Sequence, residues 1–165
     1  MTVIYPGSFD PPTVGHLDII QRASRLFDEV WVIAMVNEKK RPLFSPEERV
    51  GMLKTILRSL PNVRVDFSSR LLIEEYTSRG AQAILRGLRG TGDFLAEQPV
   101  SDAMLKMYGA ETVFLKAEPE HSYVSSSLVK EILRFGGDIS PLVPGEILSR
   151  IEAKTETERG TIHGA

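Results

Sequence analysis

The sequence predicts an α/β protein: one doubly wound domain, with a five-stranded parallel sheet and helices on both faces. Three observations predict it. Five short apolar runs alternate with segments whose apolar residues recur at helical spacing. One of them, residues 29–36, is almost continuously apolar, the pattern of a strand covered on both faces. The glycines, arginines and serines best suited to chemistry recur just after the runs. In a parallel sheet these positions gather along one edge, where such folds bind ligands.

In chain order, Val3-Ile4-Tyr5 reads as the first buried strand. A turn-rich stretch follows, Pro6-Gly7-Ser8-Phe9-Asp10-Pro11-Pro12-Thr13-Val14-Gly15-His16. A helix then begins, with Leu17, Ile20, Ser24 and Phe27 on one stripe. A strand, a glycine-bearing loop and a helix N-terminus together present free N–H groups and a positive dipole end to an anion. Gly7 and Gly15 allow close approach, Ser8 and Thr13 add hydroxyls, and His16 is either a helix cap or a donor to a ligand. Neither Gly-x-Gly-x-x-Gly nor the Gly-x4-Gly-Lys loop is present.

The second strand, residues 29–36, leads to Asn37-Glu38-Lys39-Lys40-Arg41-Pro42. Its three cations suit either a solvated loop or the ligand edge. Ser45-Pro46-Glu47-Glu48 is a capping box that opens a helix with Val50, Leu53, Leu57 and Leu60 on its apolar stripe. Residues 63–67 form the third strand, 71–78 a helix stopped by Gly80, and 81–85 the fourth strand. Arg86-Gly87-Leu88-Arg89 then leaves that strand, combining forked donors with a backbone open to phosphate. A helix starts at Asp93, Pro99 is expected to interrupt it, and it resumes near Ser101 and stops near Gly109. Residues 111–115 are the fifth strand. Ser125-Ser126-Ser127 opens a further helix, as its cap and as a second anion site. A short helix over 144–154 ends the domain, and 155–165 reads as a polar, disordered tail.

With 165 residues the chain makes one domain with a sizeable core. A net charge of -2 argues against generic nucleic-acid binding, and no apolar run is long enough to span a membrane. Cysteine is absent, and His16, His121 and His163 lack metal-ligand spacing, so no protein-built transition-metal site is expected. No secretory signal is visible, and a cytoplasmic protein is the simplest expectation.

Thr13-Val14-Gly15-His16 resembles the (His/Thr)-x-Gly-His signature of the nucleotidyltransferase superfamily. Together with Tyr5-Pro6-Gly7-Ser8-Phe9-Asp10-Pro11, Pro42-Leu43-Phe44-Ser45-Pro46-Glu47-Glu48-Arg49, Arg86-Gly87-Leu88-Arg89, Asp93-Phe94-x-x-Glu97 and Val124-Ser125-Ser126-Ser127-Leu128-Val129-Lys130-Glu131, it resembles the bacterial phosphopantetheine adenylyltransferases. The resemblance runs from about residue 3 to residue 150 and implies a Rossmann-like nucleotidyltransferase domain over 1–154. It implies transfer of the adenylyl group of ATP to 4'-phosphopantetheine, giving dephospho-coenzyme A and pyrophosphate, with Mg²⁺ held mainly by the ATP phosphates and a homohexameric assembly. His16 would stabilise the transition state at the α-phosphate. Ser8 and Phe9 would meet ATP, Ser8 also lying near the acceptor phosphate. Gly87, Leu88, Arg89 and Glu97 would serve ATP, as would His121, Ser122, Tyr123, Val124, Ser125, Ser126 and Ser127. Arg41, where the family usually has lysine, would contact the acceptor phosphate, with Lys40 adjacent. Leu72 (or Leu71, since the chain is one residue longer near Ser69-Arg70) and Arg86 would line the pantetheine side. The chain departs from the family's Met-Asn-Arg-like stretch at Asp102-Ala103-Met104-Leu105-Lys106.

The chemistry fits these residue types. A phosphate oxygen is already ionised at neutral pH, so no base is needed, and no Ser–His–Asp or Cys–His arrangement is evident. Cations, helix N-termini and one histidine answer the charge that gathers in the transition state. Two other readings stay open: a transferase for a different phosphorylated acceptor, and a non-catalytic nucleotide- or coenzyme A-binding module.

Overall fold

A computed structural model describes residues 1–37 and 41–162, with side chains to Thr155. Five strands, β1 (Thr2–Gly7), β2 (Glu29–Met35), β3 (Val63–Ser68), β4 (Ala83–Leu88) and β5 (Thr112–Lys116), form a single sheet ordered β3-β2-β1-β4-β5. All four pairings are parallel. The helices are α1 (Val14–Leu26), α2 (Pro46–Ile56), α3 (Leu72–Ser78), α4 (Thr91–Tyr108), α5 (Ser126–Arg134) and α6 (Gly145–Ile162), with a 3-10 turn at Pro119–His121. This is the doubly wound architecture that the sequence predicts.

Strand alternation divides the core into two layers. Val3, Tyr5, Val30, Val32, Ala34, Ala83 and Leu85 face one side, where Ile19, Ile20 and Ala23 of α1, Met52 and Leu53 of α2, Val129 of α5 and Ile147 and Ile151 of α6 cover them. Ile4, Ile33 and Ile84 face the other, packed with Leu72, Ile73 and Tyr76 of α3 and Met104 of α4. Each fully buried isoleucine contributes about 1.5–3 kcal/mol of transfer free energy.

Three elements differ from expectation. β4 begins at Ala83 and runs on to Leu88, so Arg86 and Gly87 are strand residues, paired in register with Phe114 and Leu115. Helix α4 passes through Pro99 without a break. Proline withholds only the N–H that would reach the Leu95 carbonyl; Leu95 and Pro99 both lie on an exposed face, where water can serve that carbonyl. Helix α6 extends to Ile162, past the expected end at Lys154, because neither proline nor glycine interrupts residues 155–159. The last three residues lie outside the described range, as does His163 among them.

The chain order moves outward from β1 to β2 and β3, then returns to place β4 on the other side of β1. The crevice between the carboxyl ends of β1 and β4 is therefore the switch point of the sheet, where open α/β sheets bind ligands.

Candidate active site

The loop between β1 and α1 is clamped from four directions. Arg49 of α2 is 2 % exposed and donates from Nη1 to the Ser8 carbonyl at 2.7 Å and the Met35 carbonyl at 3.3 Å. Asp10, also buried, accepts from the N–H groups of Leu43 and Phe44 at 3.0 and 2.9 Å and from Lys130 Nζ at 3.0 Å. Ser126 Oγ donates to the Pro11 carbonyl at 2.8 Å, and the Val14 N–H to the Leu142 carbonyl at 3.0 Å. Within the loop Phe9 takes a positive φ of 48°, and its ring folds back over Gly7. A Cβ on Gly7 would stand 2.8 Å from Phe9 Cζ, so glycine is required there. The Phe9 ring then meets Tyr5 and His16 edge-to-face, at centroid distances of 5.5 and 4.9 Å.

Thr13 caps α1, and His16 completes the capping box. Thr13 Oγ1 accepts from the His16 N–H at 3.3 Å, while His16 Nδ1 accepts from the Thr13 N–H at 3.1 Å. A backbone nitrogen can only donate, so Nδ1 carries no proton and the neutral ring carries its proton on Nε2. Burial, reinforced by the Arg89 charge, lowers the His16 pKa from 6.5 to about 4. Near neutral pH His16 is thus an uncharged ring with a fixed Nε2–H donor. The two ring nitrogens let His16 be both the helix cap and a donor to a ligand.

On β4, Arg86 Nε pairs with Glu97 at 3.1 Å and Nη1 donates to the Pro6 carbonyl at 3.3 Å. Arg89 forms a two-pronged pair with Asp93, Nε and Nη2 each at 2.9 Å, and the Arg89 N–H reaches the same carboxylate. Hydrogen bonding from Arg89 holds the Asp93 carboxyl below its ordinary range. At α5, Ser125 Oγ accepts from the Leu128 N–H at 3.1 Å. Asp18 of α1 accepts from Arg22 at 3.2 Å and from the Glu118 N–H at 3.4 Å, and Arg22 donates to the Lys116 carbonyl at 2.7 Å. These contacts fasten the segment after β5 over the N-terminal half of α1.

One cleft of about 450 Å³ opens between these parts. Of the residues that the sequence marks, it is lined by Gly7, Ser8, Phe9, Thr13, Gly15 and His16 in the first loop, by Arg86, Gly87, Arg89 and Glu97, and by His121, Val124, Ser125, Ser126 and Ser127. Leu72 instead lines a smaller pocket beside it, with Val100, Ser101 and Met104, and Arg86 and Glu97 border both. Leu88, Ser122 and Tyr123 lie off the cleft wall; Tyr123 is 61 % exposed and Ser122 Oγ donates to the Pro119 carbonyl at 2.9 Å. Arg41 is exposed and outside the lining, and Lys39 and Lys40 fall outside the described residues. Tyr5 and Asp93 line the cleft without having been chosen as binding residues. The i,i+4 spacing of Arg89 and Asp93, and the place of Tyr5 near the carboxyl end of the first strand, are the signals that mark them.

Two helix N-termini (at Thr13 and Ser125), two arginines and one neutral donor border this crevice. It suits a polyphosphate. Among the described residues no group of three or more His, Cys, Asp or Glu could hold a metal, and no helix is long and apolar enough to cross a membrane.

Comparison with known proteins agrees with this chemistry. Residues 4–132 match the cytidylyltransferase-like family model. The phosphopantetheine adenylyltransferase of Caldanaerobacter subterraneus subsp. tengcongensis is 46% identical over 152 residues, covering 92% of this chain and 95% of the relative. That of Heliobacterium modesticaldum is 44% identical over 163 residues, covering 97% of both chains. That of Frankia casuarinae is 46% identical over 153 residues, covering 90% of this chain and 94% of the relative. Among solved structures, one described as a nicotinate-nucleotide adenylyltransferase from Vibrio parahaemolyticus has a TM-score of 0.64 at 18% identity, covering 95% of this chain and 92% of that one. A lipopolysaccharide core biosynthesis protein from Thermoplasma volcanium has a TM-score of 0.52 at 18% identity, covering 72% and 96%; at this identity both show the fold alone. By its family model and by relatives aligned over nearly its whole length, the chain belongs to the cytidylyltransferase-like family and, within it, to the phosphopantetheine adenylyltransferases.

Proposed function

We propose that the protein transfers the adenylyl group of ATP to 4'-phosphopantetheine, releasing pyrophosphate and forming dephospho-coenzyme A. The observation that carries this reading is the crevice between β1 and β4, where His16, Arg86, Arg89 and the N-termini of α1 and α5 border one cleft. An oxygen of the acceptor's phosphate attacks the α-phosphorus of ATP. The new P–O bond forms as the bond to the β-phosphate oxygen breaks, and pyrophosphate leaves with that electron pair. The nucleophile is already an anion, so no base is required, and a histidine with a pKa of about 4 is a poor one. What the chain supplies is position and complementary charge. His16 Nε2–H donates to a non-bridging oxygen of the α-phosphate. Arg89 and the serine-capped start of α5 serve the β- and γ-phosphates. Arg86, which borders both the main cleft and the small pocket at Leu72 and Met104, serves the acceptor phosphate with Ser8 and Arg41, and Leu72 with Arg86 marks the pantetheine side. Phe9, Gly87, Leu88, Glu97 and residues 121–127 are assigned to ATP.

Mg²⁺ enters with the nucleotide in this reading, held mainly by the ATP phosphates, because the carboxylates of Asp93 and Glu97 on the cleft wall are already engaged by Arg89 and Arg86. When bound it offsets phosphate charge. We also propose a cytoplasmic homohexamer. Support for self-association comes from α4, which buries no residue and exposes Leu95, Val100, Leu105 and Met107; light scattering reads the assembly mass.

The test is pyrophosphate release with ATP and 4'-phosphopantetheine, together and separately, and against other phosphorylated acceptors. Release only with the pair supports the reading, and release with a different acceptor alone overturns it. His16→Ala should lower kcat about 10²–10³-fold, as removal of a single transition-state donor does, with the circular dichroism spectrum unchanged.

A further inference from the structure

Tyr5 is the cleft residue that neither the capping nor the ion-pair networks use. Its ring lies on the α1 side of the sheet, edge-to-face with Phe9, and the residue is only 7 % exposed. Its hydroxyl comes within 3.1 Å of the position that a Cβ would occupy on Gly87. The bare backbone of Gly87 therefore leaves room for the hydroxyl at the cleft wall; an alanine there would press on both the hydroxyl and Ile19. Among the described residues no side-chain nitrogen or oxygen sealed from solvent lacks a hydrogen-bond partner, so this hydroxyl, whose neighbours are the Phe9 ring and the Gly87 backbone, is not sealed in the core. Its donor is therefore directed at the cleft that Tyr5 lines.

We infer that the Tyr5 hydroxyl is a further nucleotide-binding group, donating a hydrogen bond to an oxygen of bound ATP. The inference rests on the proposed reading that ATP occupies this cleft. ATP rather than the acceptor is indicated by the hydroxyl's neighbour: it lies against the bare backbone of Gly87, which is assigned to ATP, and Tyr5 is absent from the side pocket of Leu72 and Met104. Burial raises the phenol's pKa far above its ordinary value, outweighing the opposing pull of Arg86 and Arg89, so the group remains a donor throughout the working range of pH.

Tyr5→Phe keeps the ring and removes only the hydroxyl. Calorimetry should show ATP binding weakened about tenfold or more, the scale of a hydrogen bond to a charged group, with the KM for 4'-phosphopantetheine and the melting temperature unchanged. A merely space-filling tyrosine would leave ATP affinity within about twofold, and that result overturns the inference while leaving the proposed function intact. Should wild-type protein bind no ATP, both fall. If Tyr5→Phe does not fold, 3-fluorotyrosine placed at position 5 of the otherwise unchanged chain decides. Its fluorine resonance should move on addition of ATP and stay still with 4'-phosphopantetheine alone; a resonance unmoved at saturating ATP overturns the inference.

Discussion

The stability of this fold should depend on pH through His16, and the sign follows from its geometry. In an unfolded chain imidazole titrates near 6.5; here burial and Arg89 lower the value to about 4. Between those values the unfolded chain binds more protons than the folded one. The contribution is therefore fully present above pH 6.5 and is lost as pH falls towards 4. At 1.36 kcal/mol per pH unit the interval corresponds to at most about 3 kcal/mol, and nearer 2 kcal/mol for a ring that keeps some contact with solvent. The comparison protein is His16→Gln, since glutamine at this position of a capping box can accept the Thr13 N–H yet cannot titrate. Urea denaturation of both proteins at about pH 7, 6 and 5 isolates the histidine, because carboxylates common to the two chains cancel in the difference. The advantage of wild type over His16→Gln should be constant above pH 6.5 and shrink by about 1 kcal/mol by pH 5. Parallel stability curves, or an NMR titration of His16 with its midpoint near 6.5, would refute the neutral, Nε2-protonated ring.

Asp10→Ala removes the acceptor for two N–H groups and the partner of Lys130, and should destabilise by about 3 kcal/mol in urea denaturation. A loss below about 1 kcal/mol would mean that the loop is held without it. Pro99→Ala should stabilise by about 1–2 kcal/mol, because alanine restores the missing N–H while slightly loosening the unfolded chain. A lower melting temperature would show instead that α4 needs the proline.

Much of the layout could be read from local pattern. Residues 29–36 look like a central strand because both faces must be apolar, and β2 does sit between β1 and β3. Ser45 and Glu48 announce a capping box and form one. The site was legible where glycine, arginine and serine follow strands, since topology alone brings such positions together. Legibility failed where long-range partners decide. Arg49 reads as an ordinary helix residue; nothing local says that its guanidinium is buried against the carbonyls of Ser8 and Met35. Arg86 and Gly87 read as loop because the apolar run ends at Leu85, whereas pairing with β5 carries β4 to Leu88. Pro99 reads as a breaker because an interior proline lacks an N–H and crowds the preceding turn, while an exposed helix face can hydrate the orphaned carbonyl.

The pairs that Arg86 and Arg89 make with acids of α4 bear on which anions this cleft admits. A crevice of unaccompanied guanidinium groups would retain chloride, free phosphate and most metabolites that carry a carboxylate. Here Arg89 rests on Asp93 and Arg86 on Glu97, so each cation is already engaged before a ligand arrives. An incoming anion competes with a carboxylate that has no translational freedom to lose, and a single charge does so poorly. A ligand that meets both arginines and both helix N-termini at once can succeed, since its contacts share one loss of freedom. The acids on α4 thus act as a filter on charge number, turning a generic anion trap into a receptor for polyanions.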